Sequence, residues 1–237
     1  MVHVSDFVNA LTVVGETSRV SHINPNPLYF LVGYMLPEWT LYALIAATFI
    51  VVAIGITKRL GPDWAWINRK IIHFSIVPAV IMFYYGLIPK EVFSAAAFLF
   101  AIFQLWPHLR KKEFSWYQIE HNYGEVFFAF SASVVPLALP REYATALLLT
   151  MAISDGITGV VRDFYFRRHG FNVKLRKHWT GSLAYLVTAV FIAFTLLEAG
   201  TIGKIGWAAI LMMTEYQPWL DDNLAVPLVG TLLFLIY

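Results

Sequence analysis

The stretch from residue 151 to 182 combines an acid, a run of cations and a small-residue helix start. Asp155 lies within an apolar segment, six lysines and arginines follow it up to Lys177, and Gly181-Ser182 begins the next apolar run. Carboxylates bind Mg²⁺, cations bind phosphate oxygens, and the free N–H groups at a helix N-terminus favour anions. Together these residues predict a polyphosphate site at a membrane surface.

Asp155 is the most unusual of these residues, because it lies roughly 16 Å before the loop near Arg167, at ~1.5 Å per helical residue. A charge at that depth in a bilayer costs from about 2.5 kcal/mol upward unless it is paired or hydrated, so intramembrane acids are functional candidates. Gly159 and Arg162 follow on the same helical face. The glycine would admit a ligand or a neighbouring helix, and Arg162 would supply a nearby cation. The alternative is a structural Asp–Arg pair that joins two helices.

The cations of the loop predict contacts with phosphate oxygens, and Lys177 is the strongest of them because it lies four residues before Gly181. The backbone N–H groups at Gly181-Ser182 would bind phosphate oxygens at the start of the next helix. Thr180 or Ser182 could instead cap that helix, and capping is compatible with phosphate binding. For any single loop cation, contact with anionic lipid headgroups is an equally good explanation.

A second basic cluster, Arg69-Lys70-Ile71-Ile72-His73, begins another apolar run. Arg69 and Lys70 each lie one helical turn before His73, so two cations and an imidazole line the entry of this helix. Arg69 taken alone is typical of an anchor that reaches to the membrane surface. His73, one turn deeper, could bond a phosphate, relay a proton or bond a neighbouring helix.

Two acidic clusters complete the candidate chemistry. Glu125 lies just inside its apolar run with His121 four residues before it, and it could bind a metal or pair with a loop cation. Asp221-Asp222-Asn223 begins the last run, and adjacent acids repel unless a cation neutralises them. Mg²⁺, which prefers carboxylate and phosphate oxygens, is the natural cation. The alternative is a solvated helix N-cap, because acids favour helix starts.

The composition indicates the kind of fold that must position these residues. The chain has 237 residues, of which 59% are hydrophobic and 14% charged, with a mean hydropathy of +0.64, whereas soluble domains have about 25% charged residues. A helical span needs about 20 apolar residues. The sequence therefore predicts an all-α integral membrane protein, a compact bundle of about seven or eight transmembrane helices. The absence of cysteine excludes disulfides, a thiol nucleophile and Cys-ligated zinc.

Eight apolar runs support this prediction, with boundaries accurate to roughly four residues. They lie at about 38–57, 69–88, 90–106, 123–139, 142–166, 179–199, 203–216 and 223–237. The run at 203–216 is short for a span and could be a re-entrant helix. Residues 1–36 are predicted to form a non-cytoplasmic N-terminal segment, for which an interfacial helix and a poorly ordered terminus are equally good interpretations, and residues 37–237 are predicted to form the polytopic transmembrane catalytic domain. Pro78, Pro107, Pro136 and Pro140 are predicted to mark kinks or helix ends.

The distribution of lysine and arginine predicts the orientation, because loops rich in these residues remain in the cytoplasm. Cations flank alternate loops, near residues 58–70, 110–112 and 162–177, whereas the intervening connections are nearly neutral. The cationic loops are assigned to the cytoplasm, so the N-terminus is expected outside. Every unusual polar cluster, including the weaker signals Glu120 and Glu215, then lies at the cytoplasmic end of its run. This convergence predicts a single site on that face of the membrane.

With these motifs in view, the chain resembles the membrane-embedded CTP-dependent lipid-alcohol kinases, which include phytol kinase, dolichol or polyprenol kinase and the CTP-using diacylglycerol kinases. The resemblance covers roughly residues 69–230 and rests on four ordered clusters. They are RKIIH at 69–73, Asp155 in its glycine-bearing helix, KHWTGS at 177–182 and DDNLAVPLVG at 221–230, of which the last is the most specific. Two positions depart from the family pattern: Arg162, where glycine is frequent, and Thr180, where an acid is usual.

The resemblance implies a cytoplasmic nucleotide site and transfer of the terminal phosphoryl group from CTP to a lipid hydroxyl. By position it carries over Lys70 and His73, Asp155, Lys177 with Gly181-Ser182, and Asp221-Asp222-Asn223. From these positions and the charges beside them, the predicted catalytic residues are Asp155, Asp222, His73 and Lys70, and the predicted nucleotide-binding residues are Arg69, Lys70, Arg162, Lys174, Lys177, Gly181, Ser182 and Asn223. The predicted ligands of Mg²⁺, the expected cofactor, are Asp155, Asp221 and Asp222, with Glu125 as a further candidate. Either Asp222 or His73 would take the hydroxyl proton, and the sequence does not choose between them.

The expected partners are the lipid alcohol, CTP or another nucleotide, and the bilayer, with no nucleic acid; the oligomeric state is left open. The closest alternative is a membrane cytidylyltransferase that makes a CDP-lipid, because those enzymes share a similar layout of acid, basic loop and lysine–glycine element. An ion-coupled transporter or lipid-binding membrane protein is the non-enzymatic alternative. A transporter is expected to carry polar residues across the whole bilayer, often with inverted repeats, and this sequence shows neither feature.

Overall fold

The computed structural model describes residues 36–170 and 177–236, and these residues contain ten α-helices. In chain order they are α1 (Trp39–Leu60), α2 (Ala65–Ser75), α3 (Val77–Tyr84), α4 (Lys90–Leu109), α5 (Gly124–Ala138), α6 (Arg141–Leu149), α7 (Asp155–His169), α8 (Trp179–Leu196), α9 (Thr201–Tyr216) and α10 (Asp222–Ile236). A 3₁₀ turn, Pro62–Trp64, leads into α2, and a π-helical turn, Thr150–Ser154, joins α6 to α7. Lys174 and the predicted N-terminal interfacial helix lie outside the described residues.

The ten helices group into eight segments that match the eight predicted apolar runs. Five segments are long and apolar enough to cross a membrane: α1, the combined segment Pro62–Tyr84, α4, the combined segment Arg141–His169, and α8. Helices α5 and α10 are shorter and apolar. Helix α9 has 16 residues, a rise of roughly 24 Å against a hydrocarbon core of about 30 Å. The predicted all-α membrane bundle is confirmed.

Proline residues mark places where these segments bend or end, because proline cannot continue a regular helix without losing a hydrogen bond. Pro78 stands in the first turn of α3, where the second segment breaks into α2 and α3. Pro107 and Pro136 lie in the last turns of α4 and α5, and Pro140 directly precedes α6. The kinks and ends predicted at these four residues are confirmed.

Small side chains let the central helices approach one another closely. Ala144 and Ala146 on α6, Ala152 in the π-helical turn, and Ala189 and Ala193 on α8 are completely buried. In a bilayer, where lipid is as apolar as a protein core, close van der Waals packing is a main force between helices. The α6–α7 segment is the central one. In its most apolar stretch 72% of the residues are buried, whereas the corresponding share is 17–44% in the other four long segments. It packs against α2, α5, α8 and α10, the helices that carry the other polar clusters.

Candidate active site

Asp155 lies at the start of α7 and is held by two side chains of α2. Lys70 Nζ donates to both carboxylate oxygens at 2.7 Å, and His73 Nδ1 lies 3.0 Å from Oδ2. Asp155 and His73 are buried. Charge-assisted hydrogen bonds of this kind offset the cost of placing an ionised carboxylate within a membrane bundle. The intramembrane acid that the sequence singled out therefore has its partners on a different helix.

The cation predicted beside Asp155, Arg162, does not pair with it within the described residues. Arg162 follows two turns later on α7, where it is half-buried and lines a small hollow with Trp66 and Lys70. Two helical turns are roughly 10 Å, so Arg162 is offset along the helix while Lys70 reaches across from α2. The prediction of an Asp155–Arg162 neighbourhood is corrected for this reason, and so is the alternative of an Asp–Arg pair between helices.

Glycines on α7 let α2 come close enough to hold Asp155. A Cβ atom at Gly159 would lie 2.5 Å from Lys70 Cε, and one at Gly156 would lie 2.6 Å from Phe74 Cζ. Real Cβ atoms essentially never approach other heavy atoms so closely. Of the two explanations that the sequence left open for Gly159, a ligand or a neighbouring helix, the structure supports the neighbouring helix.

His73 has one ring nitrogen bound and one free. Its ring stacks on Phe128 of α5, with centroids 4.0 Å apart and an interplanar angle of 9°. Nδ1 contacts Asp155, whereas Nε2 is buried and has no hydrogen-bond partner in the part of the chain that the structure describes. A carboxylate at Nδ1 favours the tautomer with its proton on that nitrogen, which leaves Nε2 as an acceptor. His73 can therefore accept a proton at Nε2.

Asp155 also belongs to a group of three carboxylates contributed by α7, α9 and α10. Asp155, Glu215 and Asp222 each place an oxygen within 4.8 Å of the others. Lys177 Nζ lies 3.4 Å from Asp222 and 3.6 Å from Glu215, and Lys70 contacts Asp155. Three neighbouring carboxylates face only two lysines, so an additional cation would offset the repulsion among the carboxylates in their ionised form.

The surroundings of these three carboxylates fit a small hard cation. Together with Tyr185 and Asn223 they line a cavity of about 10 Å³, which is space for about one water-sized sphere. Glu215 Oε2 and the Tyr185 hydroxyl are buried without a hydrogen-bond partner among residues 36–170 and 177–236. Buried unpaired oxygens of this kind call for an ion or water. A donor set made only of oxygen atoms suits Mg²⁺.

Asp221 and Asn223 organise the start of α10 beside the three carboxylates. Asp221 Oδ1 accepts from the Asn223 backbone N–H at 3.0 Å, which is helix N-cap geometry. The Asn223 side-chain amide donates to Asp221 and Asp222, at 3.1 Å each. Burial and the adjacent Asp222 carboxylate raise the pKa of Asp221. Asp221 thus has the N-cap role that the sequence left as the alternative, and Asp222 joins the carboxylate group.

Glu125, also predicted as a metal ligand, lies outside that group of three. His108 Nε2 is 2.7 Å from its Oε1, and Arg69 Nη2 is 3.5 Å from its Oε2. His121, the neighbour suggested by sequence spacing, is exposed and lies 3.4 Å from Glu120 instead. The structure therefore does not bring Glu125 to the carboxylates that come together at Asp155, and the prediction that it shares their metal site is corrected: Glu125 lies instead between His108 of α4 and Arg69 of α2.

The start of α8 differs from the prediction in its cap and in its free N–H groups. His178 is the N-cap, and its Nδ1 accepts from the Thr180 N–H at 3.4 Å. The N–H groups of Gly181 and Ser182 donate to the His178 carbonyl, at 3.0 and 3.3 Å. Gly181 also packs on α7, where its carbonyl accepts from Thr158 Oγ1 at 3.1 Å. The predicted phosphate contacts of the Gly181-Ser182 backbone are corrected, because these N–H groups are already used.

Three residues near the site are not among the main sequence candidates: Glu215 has only a weak sequence signal, and Tyr185 and His108 have none. Glu215 lies at the end of its apolar run that is predicted to reach the same membrane face as Asp222, and this position is the sequence signal for a role in the site. Tyr185 and His108 carry no local signal, because a tyrosine or histidine in an apolar run is ordinary. Only their neighbours on other helices distinguish them.

Comparison with known proteins places these motifs in a wider context. The chain is 30% identical, over an alignment of 227 residues, to the phytol kinase of Synechocystis sp.. The alignment covers 84% of this chain and 91% of the relative, so the two are similar over nearly their whole lengths. No protein-family profile matches the chain, and no solved structure matches it.

Proposed function

Because the chain belongs to the phytol kinase family, we propose that it transfers the terminal phosphoryl group of CTP to the hydroxyl group of an isoprenoid alcohol of the phytol, polyprenol or dolichol type. The observation that carries this proposal is the group formed by the buried Asp155 and Glu215 and the half-buried Asp222, with oxygens within 4.8 Å of one another beside Lys70 and Lys177. Phosphoryl transfer depends on positioning and charge neutralisation more than on covalent chemistry. This group can supply both.

Asp155, Glu215 and Asp222 would hold Mg²⁺, the cofactor that we propose. When bound, the ion would neutralise charge on the nucleotide phosphates. The chain's own contribution is to keep three carboxylates close together despite their mutual repulsion. Lys70 and Lys177 do so by contacting the carboxylates from two sides.

Cations around the carboxylate group would bind the phosphate oxygens. Lys177 lies two residues before α8 and already contacts two of the acids. Arg162 is half-buried in the hollow beside Lys70. Arg69 is held by Glu125, and its Nη1 has no hydrogen-bond partner within the described ranges. The phosphate contact of Lys174 stays a prediction.

His73 is the base that we propose, in preference to Asp222. Its Nε2 would take the proton of the lipid hydroxyl, and the hydroxyl oxygen would bond to the terminal phosphorus of CTP. The bond from that phosphorus to the bridging oxygen would break and release CDP. Asp155, at Nδ1, would stabilise the imidazolium that forms. Asp222 is less suited because Lys177 and Asn223 already contact its oxygens.

We propose that this end of the bundle faces the cytoplasm and that the N-terminus lies outside. The support is the excess of lysine and arginine in the loops near residues 58–70, 110–112 and 162–177. The alcohol would stay in the bilayer and present only its hydroxyl group. This arrangement avoids transferring an apolar chain to water at about 0.8 kcal/mol per CH₂.

Labelled nucleotide separates this proposal from its closest alternative. Purified protein receives γ-labelled CTP or ATP, Mg²⁺ and, in turn, phytol, geranylgeraniol, dolichol or diacylglycerol. We expect the label from CTP in a lipid product, because a kinase transfers the terminal phosphoryl group. Label released as pyrophosphate would indicate a cytidylyltransferase. Substrate flux into proteoliposomes without nucleotide turnover would indicate a transporter, and either result would overturn the kinase proposal.

Gly159→Ala is expected to lower the rate of lipid phosphorylation at least about tenfold while the bundle stays folded. The added methyl group displaces the flexible end of Lys70 and breaks its contacts with Asp155, and a lost charged hydrogen bond corresponds to roughly tenfold or more in rate. The matched control is Gly206→Ala on α9, where an added Cβ meets nothing within 4 Å. Equal rates for the two variants would contradict the positioning role of Gly159.

A further inference from the structure

A long apolar groove lies between α1 and α4, and none of the three carboxylates lines it. Its volume is about 450 Å³, within the range of small-molecule sites. Val51 and Leu99 on its rim are 67% and 66% exposed, whereas Ala46 and Ala97 are 4% and 9% exposed. The groove is therefore open on one side to the surrounding lipid and has a buried wall on the other.

The lining of the groove suits a hydrocarbon chain. Small residues on both walls, such as Ala47 and Ala96, keep it open. Ser75 is the one polar side chain among its described lining residues, and its hydroxyl donates to the Ile72 carbonyl at 2.7 Å. Along α4 the lining extends from Val92 to Phe103, roughly 16 Å at ~1.5 Å per residue. The groove thus offers an apolar trough about half as long as the ~30 Å hydrocarbon core.

One end of this trough adjoins the candidate active site. Phe128 lines the groove, and its ring also stacks on His73 at a centroid distance of 4.0 Å. Ile72, the residue before His73, lines the groove as well. His73 in turn lies 3.0 Å from Asp155. A chain in the groove would therefore end one side chain away from the proposed base.

We infer that this groove binds the hydrocarbon tail of the isoprenoid alcohol, with the hydroxyl end next to Phe128 and His73. The inference rests on the proposed function, because it locates the lipid substrate of that reaction. A second apolar depression lies between α7 and α8, near Trp179 and Val187. None of its described lining residues is fully buried, so it has no deep wall to distinguish a substrate tail from bulk lipid.

Filling the groove tests the inference through substrate length. Ala96 and Ala95 are adjacent and exposed on α4, but only Ala96 lines the groove. We expect Ala96→Phe to lower kcat/KM for phytol and geranylgeraniol about tenfold, the effect of removing about two methylene groups from an apolar site. Activity on the short alcohol geraniol should change little. Ala95→Phe, the matched control, should resemble the wild type with every alcohol, and equal effects of the two variants would contradict the inference.

A binding measurement that does not depend on turnover completes the test. The wild-type protein in bilayers is photolabelled with a diazirine analogue of geranylgeraniol, and labelled peptides are identified by mass spectrometry. We expect label on α1 and α4 that excess phytol removes. Label on α7 and α8, or label that phytol does not displace, would overturn the groove assignment. Failure of the proposed function would look different, since the wild type would then phosphorylate no alcohol whichever helices carry the label.

Discussion

Asp155→Asn in a folded, membrane-inserted protein is expected to lower lipid phosphorylation on the order of 10³-fold. The substitution keeps the shape of the side chain but removes the charge that contacts Lys70 and His73 and that completes the carboxylate group. Both the proposed cation site and the proposed base lose their common partner. The measurement is the initial rate of label transfer from γ-labelled CTP to lipid, expressed per folded protein from gel filtration.

Asp63→Asn is the control for this prediction. Asp63 is an exposed acid in the 3₁₀ turn Pro62–Trp64 that leads into α2. The activity of this variant should stay within about twofold of the wild type, as expected for a surface substitution. A loss for Asp155→Asn no larger than the loss for Asp63→Asn would refute the central role of Asp155.

A double variant separates a chemical role of Asp155 from a purely structural one. Removing one member of a buried ion pair leaves an uncompensated charge, whereas neutralising both members is often tolerated. If Asp155 served only to pair with Lys70, the variant Lys70→Met/Asp155→Asn should recover activity relative to Asp155→Asn. We expect it to fold normally, as judged by thermal unfolding in detergent, and to remain inactive.

Glu215→Gln is expected to raise the Mg²⁺ concentration for half-maximal activity at least about tenfold, since even outer partners of a metal site contribute that much to affinity. Glu215 supplies one of three carboxylates within 4.8 Å, and its Oε2 has no hydrogen-bond partner in the described part of the chain. Glutamine keeps the volume of the side chain but removes its charge. Much of the lost rate should return at high Mg²⁺, and the measurement is therefore a Mg²⁺ titration of the initial rate.

Glu198→Gln provides the comparison for that titration. Glu198 is an exposed acid in the connection between α8 and α9. It lines a different cavity, and none of the three carboxylates lines that cavity. Its Mg²⁺ dependence should match the wild type within about twofold. An unchanged Mg²⁺ dependence for Glu215→Gln would remove Glu215 from the proposed metal site. Its remaining role would then be the ion pair with Lys177.

The eight helical segments were predictable from the sequence. Apolar runs, and prolines such as Pro78 and Pro140, act on the chain locally, because a span must satisfy its own backbone within the bilayer. The same local reasoning identified Asp155, Lys70 and Asp222 as candidates, since charges and amides are costly within or beside apolar runs. Fold class and the main polar clusters could therefore be derived residue by residue.

The pairing of those candidates could not be derived in this way. Sequence spacing suggested Arg162 for Asp155 and His121 for Glu125, because residues seven or four apart share a helical face. The structure instead joins Asp155 to Lys70, 85 residues away in the chain, and Glu125 to His108. Contacts between helices depend on which faces meet, and a pattern within one helix does not contain that information.

The stretch from Asp155 to Lys177 illustrates both what the sequence determines and what it leaves to the tertiary structure. The sequence by itself determined that an acid would lie within an apolar helix and that cations would follow it. Only the tertiary structure decided that Glu215 completes the acid group, that Asp221 is a helix cap, and that the Gly181 and Ser182 N–H groups are already used. The physical reason is that a site of this kind forms where α2, α7, α9 and α10 pack together, and that packing depends on small buried side chains distributed over the whole chain.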